Sequence, residues 1–570
     1  MVQTVDLLLT GAKVLNVYTR EFTTTNVWID GDKIVSVLPD ADLKARTTVD
    51  LQGKWLVPGF IDAHVHIESA LVTPSEIGKI LLQHGVTTVV ADPHELGNVA
   101  GTAGIEYLIH DSRQTPLDVR YMLPSSVPCV PFDHNGATLH AADLEPLYAE
   151  PEVNGLAEVM DYGAVERGDK DTMDKVHAAY PHGYHADGHG AGLSARQLEV
   201  MAAAGMDTDH ECTSVKEAQE RVNAGMHVFL REGTVERDLL NTVGAVTESN
   251  AAQFAFCTDD KTIGDLIKEG SIDRNLRMAI AAGLRPEIAY AMASYHAALA
   301  HKLSDRGSIS AGKLADLVVI DDLADVHISR VMKSGAWQDE ETASKPLPFT
   351  ATHLQHHLQL ADLRMPLEGT VDANIIGVQP NHITTDHVVQ SVTGVQGEFQ
   401  PDFDRDILKM VVVERHHNTG CVGLGLVQGF KLKHGAVASS VAHDAHNIVA
   451  VGSSDAAIMQ AIMAITATDG GQAVATDKEV LANVPLPIGG LLSDQPYRVV
   501  AKQMAALRTA YNQVSVDVDY DPFITLSFLT LPVIPTLKLT DQGLFDFDTF
   551  SFVPVFKEAK VAQAAGNRQN

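Results

Sequence analysis

The residues of this chain that are best suited to chemistry lie at the end of the run Val57-Pro-Gly-Phe-Ile-Asp-Ala-His-Val-His. His64 and His66 are two residues apart, and residues at that spacing in a β-strand point to the same side of the sheet. Two imidazoles can therefore face one point, and imidazole is the commonest metal-binding side chain. A bare His-x-His is more often a solvated strand edge, so the metal interpretation requires further ligands elsewhere in the chain.

Polar residues at the ends of other predicted strands can supply those ligands. Between residues 58 and 303, eight β-rich runs alternate with segments of helical spacing. The gaps of roughly 20–35 residues have the size of a strand–helix unit. We predict a (β/α)8 barrel of the TIM type, with an open doubly wound sheet as the alternative. The barrel is favoured because polar residues collect at the C-terminal strand ends, where a barrel gathers its site.

The segments on both sides of the predicted barrel are also β-rich. We predict that residues 1–57 and 304–337 form one small β-sandwich domain, built from both flanks of the barrel at 58–303. Residues 338–368 are polar and broken by prolines, which indicates a boundary. Residues 370–570 are predicted to form an additional C-terminal α+β domain.

The predicted strand ends carry more ligands than a single four-coordinate ion needs, and they suit two divalent ions that share a carboxylate and a hydroxide. His185 and His189 compete for one position, and His189 is preferred because it lies between glycines at the presumed strand end. For Asp259 the alternative is a helix cap. The predicted metal ligands are His64, His66, Glu158, His189, His210 and Asp259.

Such a pair of ions makes a hydroxide available near neutral pH. Asp259 can accept its proton and pass it to a leaving nitrogen, which predicts hydrolysis of a C–N bond at an sp2 carbon. Deamination and the opening of an amide or ring both fit. Residues predicted to bind substrate are His94 and Glu95 after the second strand, and Arg231 and Glu232 after the seventh; surface loops are the alternative.

The composition of the chain limits the kinds of molecule that it is expected to bind. A formal net charge of -31 and the lack of a Lys/Arg-rich run argue against nucleic acid. Four scattered cysteines without a C-x-x-C pair argue against disulfides and a cysteine zinc site. No secretory signal and no uninterrupted apolar run of about 18 residues is found, so no membrane span is expected. We expect a cytoplasmic protein that acts on a small molecule and forms a homo-oligomer, a dimer.

Several motifs carry a resemblance to known proteins. Pro58-Gly-Phe-Ile-Asp-Ala-His-Val-His resembles the opening of the amidohydrolase superfamily. Ala91-Asp-Pro-His-Glu, Asp187-Gly-His-Gly, Thr208-Asp-His-Glu and Val441-Ala-His-Asp-Ala-His-Asn narrow the likeness to the bacterial adenine deaminases. The resemblance spans nearly the whole chain. The most specific part of the resemblance lies in the C-terminal domain, because few amidohydrolases have a domain of this kind.

The resemblance implies hydrolysis of free adenine to hypoxanthine and ammonia, with Mn2+ or Fe2+ bound and Zn2+ possible. It implies one ion on His64, His66, Glu158 and Asp259, and another on Glu158, His189 and His210. Gly190-Ala191 and the stretch after Glu158 depart from the family pattern, so a related amino-heterocycle is an alternative substrate. A different cyclic amidine or amide hydrolase and a degenerate, non-catalytic barrel are the other hypotheses.

Overall fold

The computed structural model describes residues 3–557 of the 570-residue chain, so the outermost residues of the first and last predicted domains lie outside the described part. The chain forms two compact units. The first contains the chain up to Pro131, Asn135–His353 and Leu486–Ala505. The second contains Phe132–His134, Leu354–Pro485 and the chain from Ala506 onward. The division into three domains stays a prediction.

The first unit has two sheets and helices that follow the strands of the second sheet. Its strands are β1 (Gln3–Asn16), β2 (Glu21–Asp30), β3 (Lys33–Ser36), β4 (Leu43–Asp50), β5 (Trp55–Pro58), β6 (Phe60–Val65), β7 (Val86–Ala91), β8 (Asp118–Leu123), β9 (Val153–Val159), β10 (His185–Gly188), β11 (Met206–Asp209), β12 (His227–Arg231), β13 (Phe254–Cys257), β14 (Leu317–Asp322), β15 (His327–Lys333) and β16 (Ala336–Trp337). Its helices are α1 (Pro74–Gln83), α2 (His94–Ala100), α3 (Thr102–Ser112), α4 (Ala141–Leu144), α5 (Tyr162–Arg167), α6 (Lys170–Ala179), α7 (Ala195–Ala204), α8 (Val215–Asn223), α9 (Leu239–Thr242), α10 (Ile263–Glu269), α11 (Ile272–Ala281), α12 (Pro286–Ala291) and α13 (Ala297–Ala300).

One sheet of the first unit joins the two β-rich flanks. Its order is β16-β15-β14-β5-β1-β2-β3, with β4 paired to β1. β14 lies antiparallel to β5 and places Val319 opposite Leu56. Both side chains belong to one buried apolar cluster, and burial of this cluster favours the pairing of segments far apart in sequence. These strands form one hydrogen-bonded sheet of eight, so the predicted sandwich stays a prediction.

The other sheet of the first unit positions the candidate site. Strands β6 to β13 are parallel, and each pairs with its neighbour in the chain. All eight strands predicted from the sequence are present. Their residues are mostly buried, as expected for parallel strands covered on both faces. Main-chain hydrogen bonds also connect the last strand end to the first, because the amide of Asp259 donates to His64 (2.9 Å) and the amide of His66 donates to Asp259 (3.3 Å).

The second unit is built on a nine-stranded sheet of order β19-β18-β17-β21-β20-β23-β22-β24-β25 and a three-stranded antiparallel sheet. Its strands are β17 (Thr370–Val378), β18 (Thr385–Val395), β19 (Glu398–Phe399), β20 (Ile407–Val413), β21 (Val422–Gln428), β22 (Ala436–Ser439), β23 (Ile448–Gly452), β24 (Gly471–Ala475), β25 (Val480–Pro485), β26 (Leu537–Thr540), β27 (Gly543–Asp546) and β28 (Ser551–Phe552). The helices are α14 (Asp455–Thr466), α15 (Tyr497–Val514), which crosses the boundary between the units, and α16 (Pro522–Phe528). Ile458 and Ile462 of α14 pack on Ala450 of the sheet. Among residues 3–557, no helix has the length and apolarity that a bilayer crossing requires.

Candidate metal centre

The six predicted ligands meet at the C-terminal ends of the parallel strands. His64 lies within β6 and Glu158 within β9. His66, His189 and His210 directly follow β6, β10 and β11, and Asp259 is the second residue after β13. Five of the six side chains are almost fully buried, and that of His189 is 12% exposed. Asp259 adopts a left-handed backbone conformation with φ 57°. The main-chain hydrogen bonds to His64 and His66 hold this uncommon conformation, which aims the carboxylate at the histidines.

One half of the centre consists of His64, His66 and Asp259. The Nε2 atoms of the two histidines are 3.2 Å apart, and they lie 3.7 Å and 3.2 Å from Oδ1 of Asp259. Nδ1 of His66 is 3.3 Å from the main-chain oxygen of Asp92. A proton on Nδ1 satisfies that oxygen and leaves the Nε2 lone pair for an ion, which is the usual arrangement around metal-binding histidines.

Glu158 connects this half to the other. Its Oε1 lies 3.6 Å from Nε2 of His66. Its Oε2 lies 2.7 Å from Nδ1 of His189 and 3.2 Å from Nε2 of His210. The two oxygens of one carboxylate therefore face His66 on one side and His189 and His210 on the other.

The electrostatics of the centre favour anionic carboxylates at Glu158 and Asp259 and a neutral imidazole at His64. Burial raises the pKa of Glu158, but the charges of His189 and His210 hold it well below its ordinary range. Burial also raises the pKa of Asp259. The hydrogen bond to His66 and the charge of Arg231 outweigh burial and bring this pKa well below its ordinary value. Burial and the neighbouring histidines lower the pKa of His64. Two anionic carboxylates and a neutral imidazole fit divalent ions, because ligands bind metals in their deprotonated form.

Arg231, predicted to bind substrate, contacts Asp259, and its substrate role stays a prediction. Its guanidinium lies 2.8 Å from Oδ2 of Asp259, and it also bonds to the carboxylates of Asp238 (3.1 Å) and Glu211 (3.3 Å). Sequence reasoning gave Glu211 no role. Its Oε1 is 3.5 Å from Nε2 of His210. Its position could have indicated such a role, because Glu211 directly follows His210 at the end of β11.

His94 and Glu95 lie beside the centre, at the start of α2. Nε2 of His94 is 3.2 Å from Oε1 of Glu95, and Nδ1 is 3.0 Å from Oδ2 of Asp92. The rings of His94 and His66 are 4.8 Å apart between centroids. Both predicted residues are therefore close enough to the centre to contact a molecule bound there.

Two residues considered at the sequence level face other partners. The carboxylate of Glu232 lies 3.0 Å from Arg274 and 3.8 Å from Arg237, so it is paired with these cations and not with the histidines. Its predicted substrate role is untested and stays a prediction. His185, the competitor of His189, lies 2.6 Å from Asp207 and 3.1 Å from His301. The structure thus brings His189, and not His185, to Glu158.

A parallel sheet with histidines and carboxylates at its strand ends fits the amidohydrolase class, and the amidohydrolase family profile matches residues 55–338. The profile of the adenine deaminase C-terminal domain matches residues 382–551. An adenine deaminase of Lactiplantibacillus plantarum is 66% identical over 97% of this chain and 98% of its own. One of Leuconostoc citreum is 46% identical over 97% and 100%. A solved adenosine deaminase from Xanthomonas campestris with bound zinc has 15% identity and a TM-score of 0.44, and the match covers 61% of this chain and 95% of that one.

The chain belongs to the adenine deaminase family. The resemblance predicted from the sequence motifs is confirmed over nearly the whole chain. Family membership implies a divalent metal, and the donors present fit one, because imidazole nitrogens and carboxylate oxygens are common ligands of divalent cations.

Proposed function

We propose that this protein hydrolyses free adenine to hypoxanthine and ammonia at a centre of two divalent cations. The observation that carries the proposal is the position of Glu158, whose two oxygens face His66 on one side and His189 and His210 on the other. The names of the relatives supply the substrate, since the Lactiplantibacillus plantarum and Leuconostoc citreum proteins are called adenine deaminases.

The proposed scaffold is a closed (β/α)8 barrel. The hydrogen bonds between Asp259 and the main chain at His64 and His66 support closure, because they join the eighth strand end to the first. Closure brings the six side chains, which come from five different strands, to one point. An open sheet would leave the first and eighth strands at opposite edges.

In this proposal His64, His66, Glu158 and Asp259 hold one ion, and Glu158, His189 and His210 hold the other. When bound, the ions act as Lewis acids and lower the pKa of a water molecule, so a nucleophile exists near neutral pH. Mn2+ and Fe2+ are the proposed metals, and Zn2+ also fits imidazole and carboxylate donors.

Asp259 is the proposed proton carrier. As a water oxygen bonds to the carbon that bears the amino group of adenine, the Asp259 carboxylate takes a proton from the water. As the water oxygen adds, the electron pair of the ring C=N bond moves to the ring nitrogen. Asp259 then gives its proton to the amino nitrogen, and the C–N bond breaks and ammonia leaves as the ring C=N bond forms again. The remaining hydroxyl proton moves to the ring nitrogen, which leaves the carbonyl of hypoxanthine. Arg231 holds Oδ2 of Asp259 at 2.8 Å and fixes the orientation of the carboxylate. His94 and Glu95, beside His66, are proposed to line the purine pocket.

The alternatives fit less well. Cyclic amide hydrolases of this type often use a carboxylated lysine as the bridge, and Glu158 stands in that position here. A degenerate barrel would have lost ligands, whereas the predicted set is complete. The predicted homodimer and the cytoplasmic location stay predictions.

The test is a turnover assay on protein purified with Mn2+. We expect adenine to yield equal amounts of hypoxanthine and ammonia. The change in absorbance measures the first product, and an ammonia assay measures the second. The control is chelator-treated protein, which should be inactive until Mn2+ is restored. Turnover of another amine or cyclic amide, without turnover of adenine, would refute the substrate assignment.

A further inference from the structure

A second group of metal-binding side chains lies in the second unit, outside the centre already described. It consists of His134, Cys421 and Asp541, and we refer to it as the Cys421 cluster. One nitrogen, sulfur or oxygen atom of each residue lies within 4.8 Å of those of the other two. Imidazole, thiolate and carboxylate are the three side-chain ligands that zinc uses in proteins.

Asp541 is the buried member of the Cys421 cluster. It lies in the turn between β26 and β27, and its side chain has 0% exposure. Its Oδ2 is 2.6 Å from Nδ1 of His134, while Oδ1 is buried and has no hydrogen-bond partner within residues 3–557. A buried carboxylate oxygen without a partner is costly, and a cation would offset that cost.

Asp133 adds a second buried carboxylate next to the cluster. Both of its oxygens are buried and have no hydrogen-bond partner among the described residues. Asp133 directly precedes His134 in the chain. Buried carboxylate oxygens without a partner are costly, and a cation beside them would offset that cost.

The segment that carries His134 is held in place by packing. Phe132 contacts the aromatic rings of Phe545 and Phe552, with centroids 4.8 Å and 5.2 Å apart. The main-chain oxygen of Phe132 accepts a hydrogen bond from Gln542, and that of His134 accepts one from Asn447 at 2.9 Å. The imidazole is therefore fixed beside Asp541 before any ion binds, which favours binding.

The backbone also fixes the approach of Cys421. Cys421 directly precedes β21, and its main-chain oxygen accepts a hydrogen bond from the amide of Glu414 at 3.1 Å. Two residues further on, a Cβ atom on Gly423 would lie 1.9 Å from the main-chain oxygen of Thr540. Only glycine allows β21 to pass this close to the turn that carries Asp541. Cys421 forms no disulfide and is partly exposed, so an ion can reach its thiolate.

We propose that His134, Cys421 and Asp541 bind one divalent cation of borderline softness, with Zn2+ the preferred ion. The ion would link the segment Phe132–His134 to β21 and to the β26–β27 turn, and water would complete its coordination at the exposed side. The site differs from the strand-end centre in its sulfur donor. Sequence reasoning looked for paired cysteines and therefore missed a site whose three ligands are far apart in the chain.

Cobalt is the probe that separates this site from the strand-end centre. Co2+ is titrated into metal-free, full-length protein, and near-ultraviolet absorption is recorded. The predicted ligands at the strand ends contain only nitrogen and oxygen, so a thiolate-to-cobalt charge-transfer band reports on a cysteine ligand. We expect this band in the parent protein and in the control variant Cys129→Ala, and its loss in Cys421→Ser.

Metal content provides a second measurement that does not depend on activity. Zn2+-saturated parent protein should hold one more ion per chain than Cys421→Ser, and Asp541→Asn should bind Co2+ at the cysteine site roughly tenfold more weakly or worse. A band that persists in Cys421→Ser would overturn the proposal. So would the absence of any thiolate band in the parent protein, or equal metal content in the parent and in Cys421→Ser.

Discussion

The guanidinium of Arg231 lies 2.8 Å from Oδ2 of Asp259, and both side chains are buried. This contact does two things to the proposed proton carrier. It fixes the direction of the carboxylate, and together with the hydrogen bond from His66 it overcomes the effect of burial and holds the pKa of Asp259 well below its ordinary value. Asp259 is thus kept in the anionic form that the proposed mechanism requires.

Replacement of Arg231 should change the acid side of the pH profile. Without the positive charge, burial raises the pKa of Asp259, so the anion that must accept the proton is lost at higher pH. In Arg231→Gln we expect the acid limb of kcat/KM to move upward by roughly one pH unit or more. Arg231→Lys keeps the charge and should move it less. The assay is the pH dependence of adenine turnover in Mn2+-loaded protein, and an unmoved limb in Arg231→Gln would remove this role.

Glu158 should be essential for metal binding, because each of its oxygens faces a different group of histidines. Glu158→Gln removes the negative charge between the two proposed ions. We expect metal affinity to fall by roughly 100-fold or more. Loss of a residue that only supports a metal ligand costs up to about 100-fold, and loss of a ligand should cost at least as much. Glu166→Gln, at an exposed position on α5, is the matched control and should bind as the parent does. Metal analysis after dialysis measures the difference; a full complement of ions in Glu158→Gln would contradict the bridge.

His189 and His185 offer a test of position within one strand–loop segment. His189→Asn should lose metal and activity, because His189 lies 2.7 Å from Glu158. His185→Asn should keep its metal but lower the free energy of unfolding by about 1–3 kcal/mol, since it leaves the buried His301 without its imidazole partner. Metal content and thermal unfolding separate the two effects, and the reverse pattern would assign the ligand to His185.

The strands and the approach of the ligands could be predicted because each depends on a local pattern. Apolar runs that end in polar residues marked all eight strands, and the spacing of His64 and His66 placed both imidazoles on one side. The choice of His189 over His185 also followed from its place just beyond the strand. These features require only the strand periodicity and the strand ends, both of which are visible in a single sequence.

The partners of each charged side chain could not be predicted in the same way. Arg231 and Glu232 were grouped as substrate-binding, yet successive residues at a strand end point in opposite directions. Arg231 therefore reaches Asp259, while Glu232 reaches Arg274. The Cys421 cluster was invisible for another reason, since its members are brought together only by the packing of the second unit.

Lys538 predicts a pH dependence of stability that is independent of the metal centre. It is buried, and its Nζ donates to the main-chain oxygens of Ile383 (2.7 Å) and Phe528 (2.9 Å). Burial lowers its pKa from 10.5 to about 7. Between these two values the unfolded chain binds more protons than the folded one. The free energy of unfolding therefore rises as the pH is raised from about 7 to 10.5, and this gain is lost as the pH falls back to about 7.

The substitution Lys538→Met should remove that dependence. The free energy of unfolding of the parent relative to this variant should rise with pH across the window, by at most about 1.4 kcal/mol per pH unit. Lys478→Met, at an exposed lysine, should show a flat difference. Denaturant unfolding at a series of pH values measures both, and a flat difference for Lys538→Met would show that Lys538 stays protonated in the folded state.

In the proposed mechanism Asp259 moves the proton, while the two cations are also held by five other ligands. Asp259→Asn tests it most directly, with metal content and adenine turnover measured on the same preparation. We expect the variant to retain its metal ions and to lose turnover by roughly 100-fold or more. Near-normal turnover with the ions in place would contradict the proposed mechanism.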